Sequence, residues 1–109
     1  MEKLNLVVPT IVKEDINEII FYKESLGTYT SNIDNFVQEI FKMFDQLTLS
    51  PKIGQDLSSR VDVPTTIRYL SVQDYLLFYE IDGLDLSIVR ILSGKSNWQR
   101  ILFECDWAI

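Results

Sequence analysis

The sequence predicts an α+β fold in the order β-α-α-β-β-β, a helical hairpin packed on a mainly antiparallel four-stranded sheet with a short C-terminal helix. Three observations carry this. Apolar residues recur at helical spacing from Ile33 to Leu47. Asp82-Gly83 separates two strand-like runs, a strong hairpin signal. The chain has 109 residues, 47% of them hydrophobic, which suits one domain over residues 1–109 with a single core.

The elements follow in order. Leu4–Val8 reads as a strand, stopped by Pro9. Lys13–Leu26 reads as a helix with Glu14 and Asp15 in its first turn, where the dipole favours acid, and Gly27 as terminator. A second helix starts at Ser31, with Asp34 completing a capping box, and carries Ile33, Phe36, Val37, Ile40, Phe41, Phe44 and Leu47 as one stripe. Ser50-Pro51 closes it. Residues 48–64 read as an irregular loop rather than a domain boundary. Strands follow at Thr65–Leu70, Tyr75–Ile81 and Leu84–Leu92. Gly94 breaks the last, and Asn97 caps a short helix with Trp98, Ile101 and Leu102.

Composition excludes several chemistries. There is no His, so no imidazole base serves a Ser or Cys nucleophile. The one Cys, Cys105, forms neither an intrachain disulfide nor a Cys-rich zinc site, and a reduced cytoplasmic setting is the simplest reading. No cofactor or metal is expected. No secretory leader or membrane-length apolar run is visible. The net charge is −6, from 10 Lys and Arg against 16 Asp and Glu, which opposes indiscriminate nucleic-acid binding. The acid excess lies mostly in the helical half. Residues 1–50 carry 4 basic and 8 acidic side chains, while residues 60–100 carry five of each.

The strand Tyr75–Ile81 is apolar on both faces: Tyr75, Leu77, Tyr79 and Ile81 on one, Leu76 and Phe78 with Glu80 on the other. A half-exposed strand would alternate. The second face therefore meets either the terminal segment with Trp98 and Trp107 or a partner chain. In the latter case Leu76, Phe78 and Trp98 are the binding residues.

The text from Ile67 onward resembles the RelE/ParE family of type II toxin–antitoxin toxins. The residues that carry the resemblance are Ile67–Leu70, Asp74–Asp82, and Ile88-Val89-Arg90-Ile91-Leu92-Ser93-Gly94-Lys95-Ser96-Asn97-Trp98 continuing to Leu102. The family pattern has an Arg-bearing strand, a Tyr-rich strand, and an ending with Arg, Gly and Trp at these spacings. The resemblance implies a small toxin held inactive by a cognate antitoxin. It also implies one of two targets, mRNA in the ribosome or DNA gyrase. The fold does not choose between them.

Cleaving RNA needs a base, an acid and cations for the developing phosphorane charge. The family's cationic position after the strand Tyr falls on Leu76. Its basic residue after Gly-Lys falls on Ser96, and its His falls on Ser93. The candidates left are Arg68, Arg90, Lys95 and Arg100 as cations and Glu80 as base. Each has a structural alternative: Arg68 paired with Asp74 or Glu80, Arg90 in an ion pair, Lys95 as loop charge, Arg100 on a solvated face. Gly94-Lys95-Ser96 does not form a nucleotide loop, because Val89 stands where the earlier Gly is required. The reading therefore leans to a ParE-like gyrase poison. The alternatives are a metal-independent mRNA endoribonuclease and a non-toxic binding module of the same fold.

Overall fold

The computed structural model describes residues 3–61 and 64–103. Strand β1 (Asn5–Val7) leads into helices α1 (Thr10–Ser25) and α2 (Thr30–Leu49). A two-residue strand β2 (Gln55–Asp56) and one 3-10 turn (Leu57–Ser59) follow. Strands β3 (Arg68–Val72), β4 (Tyr75–Asp82) and β5 (Asp85–Ser93) form a meander, and α3 (Trp98–Phe103) comes last. The α+β class and the helical hairpin are as predicted.

The sheet has five strands rather than four, in the order β1-β5-β4-β3-β2. The extra strand is β2, inside the stretch read as irregular. Gln55 and Asp56 are polar and exposed, so no alternation marks them; pairing with Tyr69 and Arg68 makes them a strand. β1 runs parallel to β5, with Asn5 opposite Asp85, and every other pairing is antiparallel.

Local signals were partly overridden. α1 begins at Thr10, directly after Pro9, whose φ of −65° and ψ of 160° start the helix. Glu14 and Asp15 therefore lie beyond the first turn. The capping box does not form: α2 is capped by Tyr29 with no side-chain bond. β3 sits later than read, at Arg68–Val72, because the β3–β4 turn is the tight pair Gln73-Asp74, with Gln73 at φ 56°. The β4–β5 hairpin turns at Gly83-Leu84, with Gly83 at φ 62°, where a residue without Cβ is unstrained.

Two cores sandwich the sheet. On the helix side, Val12, Ile16 and Ile19 of α1 and Phe36, Ile40, Phe44 and Leu47 of α2 pack on Leu77, Tyr79, Leu86, Ile88 and Ile91. The predicted stripe on α2 is therefore divided. Its inner residues are buried, whereas Phe41 remains 55% exposed. On the opposite side, Phe78, Leu76 and Tyr69 pack under Leu57, Val61 and Trp98. The Phe78 and Trp98 ring centres are 5.4 Å apart, and the Arg60 guanidinium lies 5.4 Å from the Tyr69 ring and 5.2 Å from that of Trp98.

The second face of β4 is thus covered by the chain's own α3 and 3-10 turn. Leu76, Phe78 and Trp98, read as binding residues, are 6%, 0% and 7% exposed and make an intramolecular core. Trp107 and Cys105 lie outside the described residues. Among those residues no helix is long and apolar enough to cross a membrane.

Candidate functional site

Strand β5 carries one extra residue. Ile88 lies opposite Tyr79 and Arg90 opposite Phe78, leaving Val89 unpaired between them. Such a bulge breaks the two-residue alternation and re-aims the side chains beyond it. The parity that groups Arg90 with Leu86 and Ile88 therefore fails here. Ile91, not Arg90, continues the helix-side core.

The Arg90 guanidinium reaches Asp15 of α1 through two parallel bonds. Nε donates to Oδ2 and Nη2 to Oδ1, both at 2.8 Å. The backbone N–H of Ile91 donates to the same Oδ2 at 3.1 Å. Asp15 is 4% exposed, so its charge is matched by an Arg fork and a main-chain donor. The ion-pair reading of Arg90 holds. The sequence does not single out its partner, because an acid at Asp15 also fits helix-dipole compensation. The available signal was its place on the apolar face with Val12, Ile16 and Ile19.

Beyond β5 the chain turns sharply. Gly94 N–H donates to Asp74 O at 3.0 Å, and a Cβ at Gly94 would stand 3.3 Å from that oxygen. Ser96 closes the turn by bonding Ser93 O through its N–H (3.0 Å) and its hydroxyl (2.6 Å). Lys95 N–H donates to Ser93 Oγ at 3.2 Å. This turn places Lys95 at the rim of a cleft of about 440 Å³. Asp15, Glu18, Ile19 and Tyr22 of α1 form one wall, Tyr75 and Ile91 the floor, and Ile101 of α3 the far side. The α1 positions follow helical spacing, which puts all four on one face.

Tyr75 is held neutral here. Burial, then the neighbouring Tyr22 and Asp74, push its phenol above the ordinary value of 10.0. Its ring packs at a tilt against Phe36, centres 5.1 Å apart, and the Lys23 ammonium lies 5.4 Å from it. The cleft is an amphipathic pocket with an apolar floor, two phenols, an acid (Glu18) and a cation (Lys95) at its lip.

The other candidates lie elsewhere. Arg68 donates to Gly54 O (2.6 Å) and Lys52 O (3.2 Å), and pairs with Asp56 at 3.4 Å. Neither Asp74 nor Glu80 is the partner. Arg68 fastens the loop before β2, together with Tyr79, whose hydroxyl donates to Pro51 O (2.7 Å) and accepts from Gly54 N–H (3.0 Å). Glu80 accepts from Thr66 at 3.3 Å. Arg100 lies on the exposed side of α3. The five residues do not converge: only Lys95 lines the cleft, and Arg90 reaches it through Asp15.

This fold and this strand ending define a class: the chain belongs to the ParE toxin family of type II toxin–antitoxin systems, parDE, which it matches over residues 11–98. Toxin ParE3 of Caulobacter vibrioides is 33% identical over 61 residues, 56% of this chain. That match spans 58% of the relative. A solved structure of the chromosomal ParDE system from P. aeruginosa aligns with a TM-score of 0.67, covering 84% of this chain and 96% of that one. Its sequence identity is 18%, so the likeness concerns the fold.

Proposed function

We propose that this chain is the toxin of a type II toxin–antitoxin pair, neutralised by a cognate antitoxin, and that it acts on DNA gyrase through protein contacts. Family membership supports the toxin role and implies the antitoxin. The single observation that carries the choice of target is the use of the strand arginines. Arg90 is locked to Asp15 by two bonds and Arg68 to the loop before β2. A nuclease of this fold needs such cations directed at a phosphate. The cleft beside Lys95 is instead apolar-floored, which favours recognition of a protein side chain.

Inducing the protein alone should arrest growth, and co-expressing the antitoxin should restore it. Purified protein should inhibit supercoiling by gyrase. Normal growth at confirmed soluble expression would sink the toxin role. New transcript ends on induction, mapped by primer extension, would replace the gyrase target with RNA. Lys95→Glu should weaken arrest while leaving the thermal transition unchanged. Antitoxin binding with no arrest would leave only the binding-module reading.

A further inference from the structure

The cleft beyond β5 holds two charges that the fold leaves unmatched. Of its acids, Asp15 is taken up by Arg90 and the Ile91 N–H. Glu18, one helical turn further along α1, has no partner for its carboxylate among the described residues. The Lys95 ammonium, on the turn after β5, has none either. The two line the same cleft yet do not pair with each other. The surface they share is apolar and aromatic. Tyr22 stands at the lip, 57% exposed, and Tyr75, Ile91 and Ile101 lie deeper.

Each wall is tied in place before any guest arrives. The Asp15–Arg90 fork fixes α1 against β5. Phe36 packs against the Tyr75 ring. The Ser93 and Ser96 bonds hold the turn that carries Lys95. A site ordered in advance loses little entropy on binding. Its volume, about 440 Å³, is in the range of pockets that enclose a ligand of some size. Opposite charges held apart over an apolar floor are complementary to a guest of reversed polarity. Two phenol rings favour an aromatic guest, which gains from offset or edge contact with them. Glu18 and Tyr22 are four residues apart on one helix face. A carboxylate beside a ring suits a guanidinium, which pairs in plane with the one and stacks on the other.

We propose that this cleft recognises a segment of the target protein with an aromatic anchor, an Arg toward Glu18 and an Asp or Glu toward Lys95. That the guest belongs to the target rests on the proposed action on gyrase; its chemistry rests on the cleft alone.

The test titrates the full, isotope-labelled chain with four capped tripeptides, following the amide resonances of Ile91, Ser93 and Ser96. One peptide has Trp between two Gly, the second has Arg before the Trp, the third Asp after it, and the fourth both. Each charge should tighten binding about threefold and the two together about tenfold, the range of exposed pairs. Glu18→Gln should remove the gain from Arg and keep the gain from Asp. Lys95→Gln should do the converse. Both variants should also weaken inhibition of gyrase supercoiling about threefold, with circular dichroism confirming that they are folded. No shift with any peptide at millimolar concentration, equal affinities for all four, or gains unmoved by the variants would overturn the proposal. Variants that weaken antitoxin binding and leave gyrase inhibition intact would also overturn it, since the guest would then belong to the antitoxin. The expected peptide pattern, with no gyrase inhibition by the unaltered chain, would overturn the choice of target and uphold the chemistry of the guest.

Discussion

Replacing Asp15 by Ala removes the acceptor of three hydrogen bonds at once, two from Arg90 and one from Ile91 N–H. Asp15 is 4% exposed and Arg90 21%, so the guanidinium stays largely out of water while losing its two bonds to the carboxylate. Breaking a buried pair on one side costs about 3–5 kcal/mol, well above the value of an exposed pair. For 109 residues the unfolding entropy near the transition is about 230 cal/mol/K, so this loss lowers Tm by about 13–22 °C. Urea titration with a constant m-value, backed by calorimetry, measures it. The double substitution Asp15→Leu with Arg90→Met removes both charges. It should regain most of the stability, because an apolar pair avoids the desolvation of two ions. A single-substitution loss below about 1 kcal/mol, the range of a surface pair, would refute the reasoning. So would a double variant no more stable than Asp15→Ala.

Gly54→Ala should destabilise by about 1–3 kcal/mol in urea, since its Cβ would press on the Tyr79 hydroxyl and stand 2.8 Å from Tyr69 O. Tyr79→Phe should cost about 1–3 kcal/mol by orphaning the Gly54 N–H, and amide exchange should rise first at residues 51–56. Trp98→Ala should cost about 3–5 kcal/mol and open the Phe78 side of the sheet to an environment-sensitive dye, because α3 loses its anchor. Stability should decline as the pH rises above the ordinary phenol value of 10.0. The raised pKa of Tyr75 means the unfolded chain releases its proton first, so its contribution is complete below that value and lost through the folded pKa. Tyr75→Phe should flatten this part of the pH profile.

Legibility in the sequence followed the physics of each element. The α2 stripe and the β4–β5 hairpin were readable because period and turn chemistry are local. The capping box was not decisive: Ser31 lies one residue inside a helix that starts at Thr30, fixed by packing rather than by a cap. β2 was invisible because two polar residues have no pattern of their own and exist as a strand through Tyr69 and Arg68. At the site, Arg90 was legible as half of an ion pair, but not its partner. The Val89 bulge changes which way the strand faces, and Asp15 is 75 residues away. The family text located the turn at Lys95. The α1 wall of the cleft, with Glu18 and Tyr22, emerges only when the hairpin is laid on the sheet.

The parallel pairing of β1 with β5 also sets an order of events during synthesis. Asn5 and Asp85, joined side chain to side chain, are separated by 80 residues. At about 5–20 residues per second, β1 leaves the ribosome roughly 4–16 s before β5, the strand it pairs with, exists. Through that interval the two helices lack the β5 side chains that cover Val12 and Ile16, and Asp15 lacks Arg90. The closing contacts of this fold are therefore among the last to become available. A nascent chain spends seconds with its hairpin exposed and its cleft unbuilt, and that cleft is complete only once α3 follows the fifth strand.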